Sequence, residues 1–244
     1  MRGSRGQPQG EGTRRRERRL DHARQRNDGA GLASRRGLLR PMRLADEISL
    51  RSRRRKLELF LDELRPTSQT SVLDVGVDEL VFGEGDACTT LNFFEEHYPW
   101  PEQITALGLY EGAGFRARYP HIRYVKGDAC ALPFADGEFD VVFSNAVVEH
   151  VGERERQKRL VSEALRVGRR VFITTPNRWF PIEVHTRLPL VHWLPERISH
   201  PVYGAVGKEG AKQLRILSKR ELESLFPGRV RIVNLGLTLV AIVD

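Results

Sequence analysis

A chain of 244 residues, 40% of them hydrophobic, has room for one domain with a substantial buried core plus an appendage. The formal net charge of +8 suggests a nucleic-acid partner at first sight, but residues 1–56 hold 18 Lys and Arg against 6 Asp and Glu, while the remainder holds 22 against 26, so the basicity belongs to the N-terminal segment. Two cysteines without a CxxC pair, no apolar run of roughly 18 residues and no apolar N-terminal core argue against a disulfide framework, a thiolate metal site, a membrane span and a secretory signal, and the expectation is a soluble cytoplasmic protein with reduced Cys88 and Cys130.

Residues 1–42 are rich in Arg and Gly and nearly free of large apolar side chains before Leu38 and Leu39. Such a segment buries too little surface to offset its ordering entropy, so a disordered basic tail is expected there. Three readings of it stay open: a solvated tail without a role, a contact to an anionic surface or nucleic acid, and a translated upstream region with Met42 as the true start.

Residues 43–69 form a helical lead-in. From Ser52 onward Leu57, Phe60, Leu61 and Leu64 recur at helical spacing among charged residues, and Pro66 closes the segment. TSVLDVGV (70–77) is a short apolar run ending in Asp and Gly, which fits a buried first strand reaching a turn. Residues 89–98 are expected to be helical with Thr89 or Thr90 as cap, and Asn92 either caps that helix or supplies a loop contact.

ITALGL (104–109) is the second strand, a short helix follows near Phe115, and IRYVKGD (122–128) and FDVVFSN (139–145) are two more strands. A charged helix over 153–166 leads to the strand RRVFITTPN (169–177). After a long Pro, Trp and His segment, Ser218 and Glu221 form a capping box opening a helix, and RVRIVNLG and LTLVAIVD meet near Gly236 as an antiparallel hairpin. The alternation of strands and helices predicts an α/β fold: a doubly wound, Rossmann-like sheet of seven strands, mostly parallel, with a C-terminal antiparallel hairpin.

In an open parallel sheet ligands sit at the carboxyl ends of the strands, which here read Asp74 with Gly76, Gly108 to Glu111, Asp128 with Ala129, Ser144 with Asn145, and Thr175 to Asn177. Together with VLDVGV, GDACALPFADGEFDVVFSNAVVEHV and RRVFITTPN, this set resembles the class I S-adenosylmethionine-dependent methyltransferases, most closely their type 11 branch. The resemblance covers about residues 55–244, and its most specific piece is Gly127 to Val151.

It implies S-adenosyl-L-methionine as cofactor, with Asp74 and Gly76 beside the methionine moiety, Asp128 and the Ala129 backbone on the adenine, and Asn145 near the donor sulfur. Two positions depart from the pattern: the usual Gly-x-Gly-x-Gly is reduced to Gly76 followed by VDELVFGEG, and the acid expected at the end of the second strand is Gly108. Glu111 either reaches the ribose from the turn or is an ordinary solvated acid.

The methyltransferase domain is expected over 70–244, with 178–215 inserted as a substrate lid whose Trp179, Phe180, Trp193 and Tyr203 wall a pocket or pack over a sheet edge. His185, His192 and His200 lack metal-ligand spacing on one helix face, so no metal site is expected. Methyl transfer needs alignment first and a base only if the acceptor must lose a proton; His150 and His185, with Glu183 behind them, are the candidates, each balanced by a structural reading. The expected acceptor is a small molecule. A nucleic-acid methyltransferase and a non-catalytic methyltransferase-like binding protein are the alternatives, and a nicotinamide oxidoreductase fails for want of Gly-x-Gly-x-x-Gly after the first strand.

Overall fold

A computed structural model describes residues 44–77, 92–183 and 185–244, all within one compact unit that runs over Arg40–Asp244. The expected tail over 1–42, the Thr89 or Thr90 cap, Cys88 and the VDELVFGEG loop up to residue 85 lie outside the described residues, apart from Val77.

Helix α1 (Leu44–Leu64) begins well before Ser52 and ends just ahead of Pro66. It is followed by β1 (Val72–Val75), α2 (Phe93–His97), β2 (Ile104–Gly108), α3 (Ala113–Arg118), β3 (Arg123–Lys126) and β4 (Phe139–Asn145). The chain continues through α4 (Arg154–Val167), β5 (Gly168–Pro176), α5 (Glu196–Ala205), α6 (Lys219–Glu223), β6 (Arg231–Asn234) and β7 (Thr238–Val243). The seven strands form one sheet in the order β3-β2-β1-β4-β5-β7-β6, with β7 antiparallel to both its neighbours and the other pairs parallel. The α/β class, the mostly parallel sheet and the terminal hairpin agree with the sequence reading.

Because side chains alternate across a strand, consecutive core residues serve opposite faces. Val72, Phe143, Phe172 and Val240 pack with Phe60 and Leu64 of α1, Phe94 of α2 and Phe115 of α3. Leu73, Val142, Val171 and Ala241 pack with Leu160, Val161 and Ala164 of α4 and Leu222 of α6. The strands are therefore apolar on both faces, as a sheet covered by helices on each side requires. Fully buried Phe60 stands edge-on to Phe94, Phe143 and Phe172 at ring separations of 5.1–5.5 Å, which fixes α1 against the sheet.

The short α6 carries the capping box expected from Ser218 and Glu221, with both reciprocal bonds present. Asn92, by contrast, precedes α2 in the left-handed conformation and gives it no side-chain cap. Between β5 and α6 the inserted segment holds α5 and two 3-10 turns. Its ends are tied down by Arg178 N–H to the Leu217 carbonyl (3.0 Å) and Arg215 N–H to the Glu149 carbonyl (2.9 Å). Among the described residues no helix is long and apolar enough to cross a membrane.

Candidate active site

The carboxyl ends of β1, β2 and β3 make the first half of the site. Gly76, just past β1, has φ +95° and donates its N–H to the Leu107 carbonyl (2.8 Å). A Cβ there would lie 2.3 Å from Val147 Cγ2, so the turn admits only glycine. Asp74 is buried beside Glu95 of α2, whose carboxylate oxygens meet no donor from outside the pair's own neighbourhood among the described residues. Burial, then the neighbouring Glu95, pushes the Asp74 carboxyl well above the usual carboxylate range, and burial raises Glu95 to about 7. Two adjacent carboxyls in an apolar setting cannot both ionise cheaply, so the pair retains a proton at neutral pH.

At the end of β2, Gly108 stands where the family pattern calls for an acid, and the Tyr124 side chain fills the space beside it. A Cβ on Gly108 would fall 2.3 Å from the Tyr124 hydroxyl, which closes over the strand end and donates to the Tyr110 carbonyl (3.0 Å). Glu111 is exposed and paired with Lys126, which holds its carboxyl below the ordinary value. Asp128 accepts from the Cys130 N–H and from Arg156, each at 2.9 Å; these partners outweigh its partial burial and keep it ionised, with the backbone bond the larger influence. Ala129 is buried beside it, and Cys130 is a buried free thiol.

The ends of β4 and β5 make the second half. Asn145 Oδ1 accepts from Lys56 Nζ of α1 (2.5 Å) and from the Thr174 hydroxyl (2.8 Å), so its side chain is held from two elements. Lys56 is only 9% exposed, and burial, then repulsion from Arg53, brings its ammonium down to about 7 against the opposing pull of Glu149. Ser52, Arg53, Lys56, Asn145, Thr174 and His185 line a cavity of about 180 Å³ beneath α1.

Glu149 is completely buried. Its Oε2 accepts from the Thr175 hydroxyl (3.1 Å), its Oε1 meets no donor among the described residues, and burial raises its carboxyl to about 7. His150 Nε2 lies 3.1 Å from His185 Nε2, while His185 Nδ1 lies 2.7 Å from Glu183 Oε1. The Glu183 carboxylate also accepts the backbone N–H groups of His185 (2.8 Å) and Thr186 (2.6 Å); against the effect of burial, these bonds hold it down to about 2. For His185 burial works downward, but Glu183 and Glu149 prevail and raise its proton affinity; burial and the neighbouring His185 lower that of His150.

The fold thus joins His150 and His185, 35 positions apart, with Glu183 directly behind them. His192 and His200 are placed elsewhere, lining a separate cavity with Tyr203. Trp179 and Trp193 are 63% and 39% exposed and wall none of the cavities described here; the Trp193 indole instead donates to the Arg178 carbonyl (2.5 Å). Lys56 and Glu95 carry no motif in the sequence. The one available signal for Lys56 is its place four and eight residues before Phe60 and Leu64, on the face that α1 buries.

Residues 82–171 match the methyltransferase domain family, across the Gly127 to Val151 run and most of the strands whose ends form the site. Over that stretch the chain is similar to the class I S-adenosylmethionine-dependent methyltransferases. The chain is 33% identical over 66 residues to a probable S-adenosylmethionine-dependent methyltransferase of Mycobacterium tuberculosis strain H37Rv, a match covering 27% of this chain and 24% of the relative. It is 39% identical over 69 residues to another from Mycolicibacterium smegmatis, covering 27% and 26%. The matches span about a quarter of the length of these curated relatives. In fold, the chain is similar to the PH0226 protein of Pyrococcus horikoshii OT3 (TM-score 0.51, 15% identity, 82% of this chain and 93% of that one). It is also similar to geranyl diphosphate C-methyltransferase of Streptomyces coelicolor A3(2) (TM-score 0.50, 16% identity, 91% and 96%).

Proposed function

We propose that the protein transfers the methyl group of S-adenosylmethionine to a small-molecule acceptor. The observation that carries this reading is the cavity beneath α1, where Asn145, held by Lys56 and Thr174, meets His185 at the ends of β4 and β5. The cofactor fits the strand ends at both extremes. Asp128 offers an ionised, partly exposed carboxylate beside the Ala129 backbone for the adenine, and Gly76 with Asp74 leaves a tight backbone turn for the methionine end. For the ribose, Glu111 is the acceptor within reach of the same strand ends, once it exchanges Lys126 for sugar hydroxyls.

Bound there, the sulfonium supplies an electrophilic methyl carbon. The work left to the chain is alignment and exclusion of water, both served by α1 roofing the cavity. A lone pair on the acceptor forms the new bond to carbon while the electron pair of the carbon–sulfur bond stays on sulfur, and an acceptor hydroxyl passes its proton to the His150–His185 cluster. A small acceptor suits a cavity of about 180 Å³ in a domain whose own charge balance is mildly acidic.

Calorimetric titration with S-adenosylmethionine and S-adenosylhomocysteine tests the cofactor half, with one site per chain expected. A metabolite screen with methyl-labelled cofactor tests the acceptor half. A folded protein that binds neither compound sinks the reading, and salt-dependent binding of nucleic acid by residues 43–244 would replace the small molecule as acceptor.

A further inference from the structure

We infer that Glu149, His150 and His185 form a binding site for one divalent first-row transition-metal ion, facing the cleft between the β4 turn and the inserted segment. Glu149 Oε1, His150 Nε2 and His185 Nε2 all lie within 4.8 Å of one another. Two ligands each about 2.0 Å from a tetrahedral ion stand about 3.3 Å apart, close to the 3.1 Å between the imidazole nitrogens. A hydrogen bond between two neutral rings would explain that distance alone. It would not explain why Glu149 Oε1, wholly buried and 3.9 Å from His185 Nε2, meets no hydrogen-bond donor among the described residues.

The outer shell is also in place. Glu183 Oε1 is 2.7 Å from His185 Nδ1, which assigns the proton to that nitrogen and turns the Nε2 lone pair toward the cluster. The Thr175 hydroxyl holds the other Glu149 oxygen, so the free one keeps its direction. Two imidazoles and one carboxylate without a thiolate favour zinc, iron, cobalt or manganese over calcium or magnesium. Three protein ligands leave positions open toward the cleft lined by His150, His185, Thr186, Lys208 and Gln213.

The role of the ion rests on the methyl-transfer reading. With both Nε2 lone pairs on the ion the histidines would no longer act as the base; an acceptor oxygen taking an open position would instead lose its proton to solvent more readily and keep its second lone pair for the methyl carbon. Ion binding itself does not depend on that reading.

The test uses the full chain, stripped with chelator and titrated with Co²⁺ and then Zn²⁺, reading ligand-field absorption and calorimetric stoichiometry. One Co²⁺ per chain, displaced by Zn²⁺, is expected. His150→Ala and His185→Ala should each weaken binding at least 100-fold, Glu183→Gln 10- to 100-fold, and exposed His121→Ala not at all, with circular dichroism confirming that each variant is folded. Absent binding, or binding that survives in the folded double variant His150→Ala/His185→Ala, overturns the site. A parallel titration with S-adenosylhomocysteine separates the two ideas: metal binding without cofactor binding keeps the ion and discards methyl transfer, and the reverse result discards only the ion.

Discussion

Two regions of the site, the ends of β2 and β3 and the ends of β4 and β5, handle charge in opposite ways. At the ends of β2 and β3, Glu111 and Asp128 are exposed or half-exposed and already paired, with Lys126 and Arg156. At the ends of β4 and β5, Lys56 and Glu149 are buried with few partners, and Glu149 leaves one oxygen with none among the described residues. Exposed pairs contribute little to stability and exchange readily for a ligand, whereas buried, poorly matched charges cost stability. A fold that keeps the second kind at one strand end is expected to use it, which favours the proposed division of chemistry at β4 and β5 from cofactor recognition at β2 and β3.

The largest break in this comparison should come from the histidines. Loss of His150 or His185 to Ala is expected to lower the methyl-transfer rate on a hydroxyl acceptor by about 10²- to 10⁴-fold, with S-adenosylhomocysteine affinity nearly unchanged. A parallel loss of affinity would move these residues into the cofactor half.

Lys56→Met should raise the unfolding midpoint at neutral pH, by on the order of 1–4 kcal/mol, because a side chain of similar volume replaces a buried, poorly matched ammonium. The same variant should cut activity by freeing Asn145. A destabilised Lys56→Met would show that the Lys56–Asn145 bond outweighs desolvation.

The Asp74–Glu95 pair gives the comparison a pH axis. Glu95 has a folded value near 7 against an ordinary 4.5, so the native state binds more protons than the unfolded chain between those values. Stability is favoured below about pH 4.5 and falls as pH rises through 7. Glu95→Gln should therefore match the wild type in denaturant unfolding at pH 4 and exceed it at pH 8, by on the order of 1–3 kcal/mol. Curves that stay parallel from pH 4 to 8 would mean the pair is not strained.

Asp128→Ala should weaken cofactor binding by about 1–3 kcal/mol, the value of a charge-assisted hydrogen bond, partly offset because Arg156 is released. Unchanged calorimetric affinity would remove Asp128 from the adenine site. The smallest effect is expected from Glu111→Gln, whose melting temperature should equal that of the wild type while cofactor affinity falls; equal affinity would leave Glu111 a surface acid.

Much of the architecture was legible along the chain because its signals are local. The strand Phe139–Asn145 was read with its observed bounds, since the alternating apolar run stops sharply at the turn that begins with Ala146. The Ser218–Glu221 capping box and the hairpin around Gly236 follow from hydrogen bonds that span a few residues. Within the 43–69 lead-in the apolar repeat is legible only from Ser52 onward, because the basic run at 51–56 masks a stripe that only the sheet face completes. Lys56 was hidden by the same basic run, as composition cannot tell one cation buried under a helix from its solvated neighbours.

Sequence alone determined the order and kind of the strands, the glycine turn after β1, and the Gly127 to Val151 run that matches the methyltransferase domain. It also supplied His150, His185 and Glu183 as separate candidates. Only the tertiary structure decided that Glu183 backs His185, that His185 meets His150, and that Glu149 Oε1 faces them without a donor among the described residues. The physical reason is range: backbone hydrogen bonding and apolar periodicity act over a few residues and leave a local trace, whereas the meeting of β4 and β5 ends depends on sheet register and on where the inserted segment is tied down.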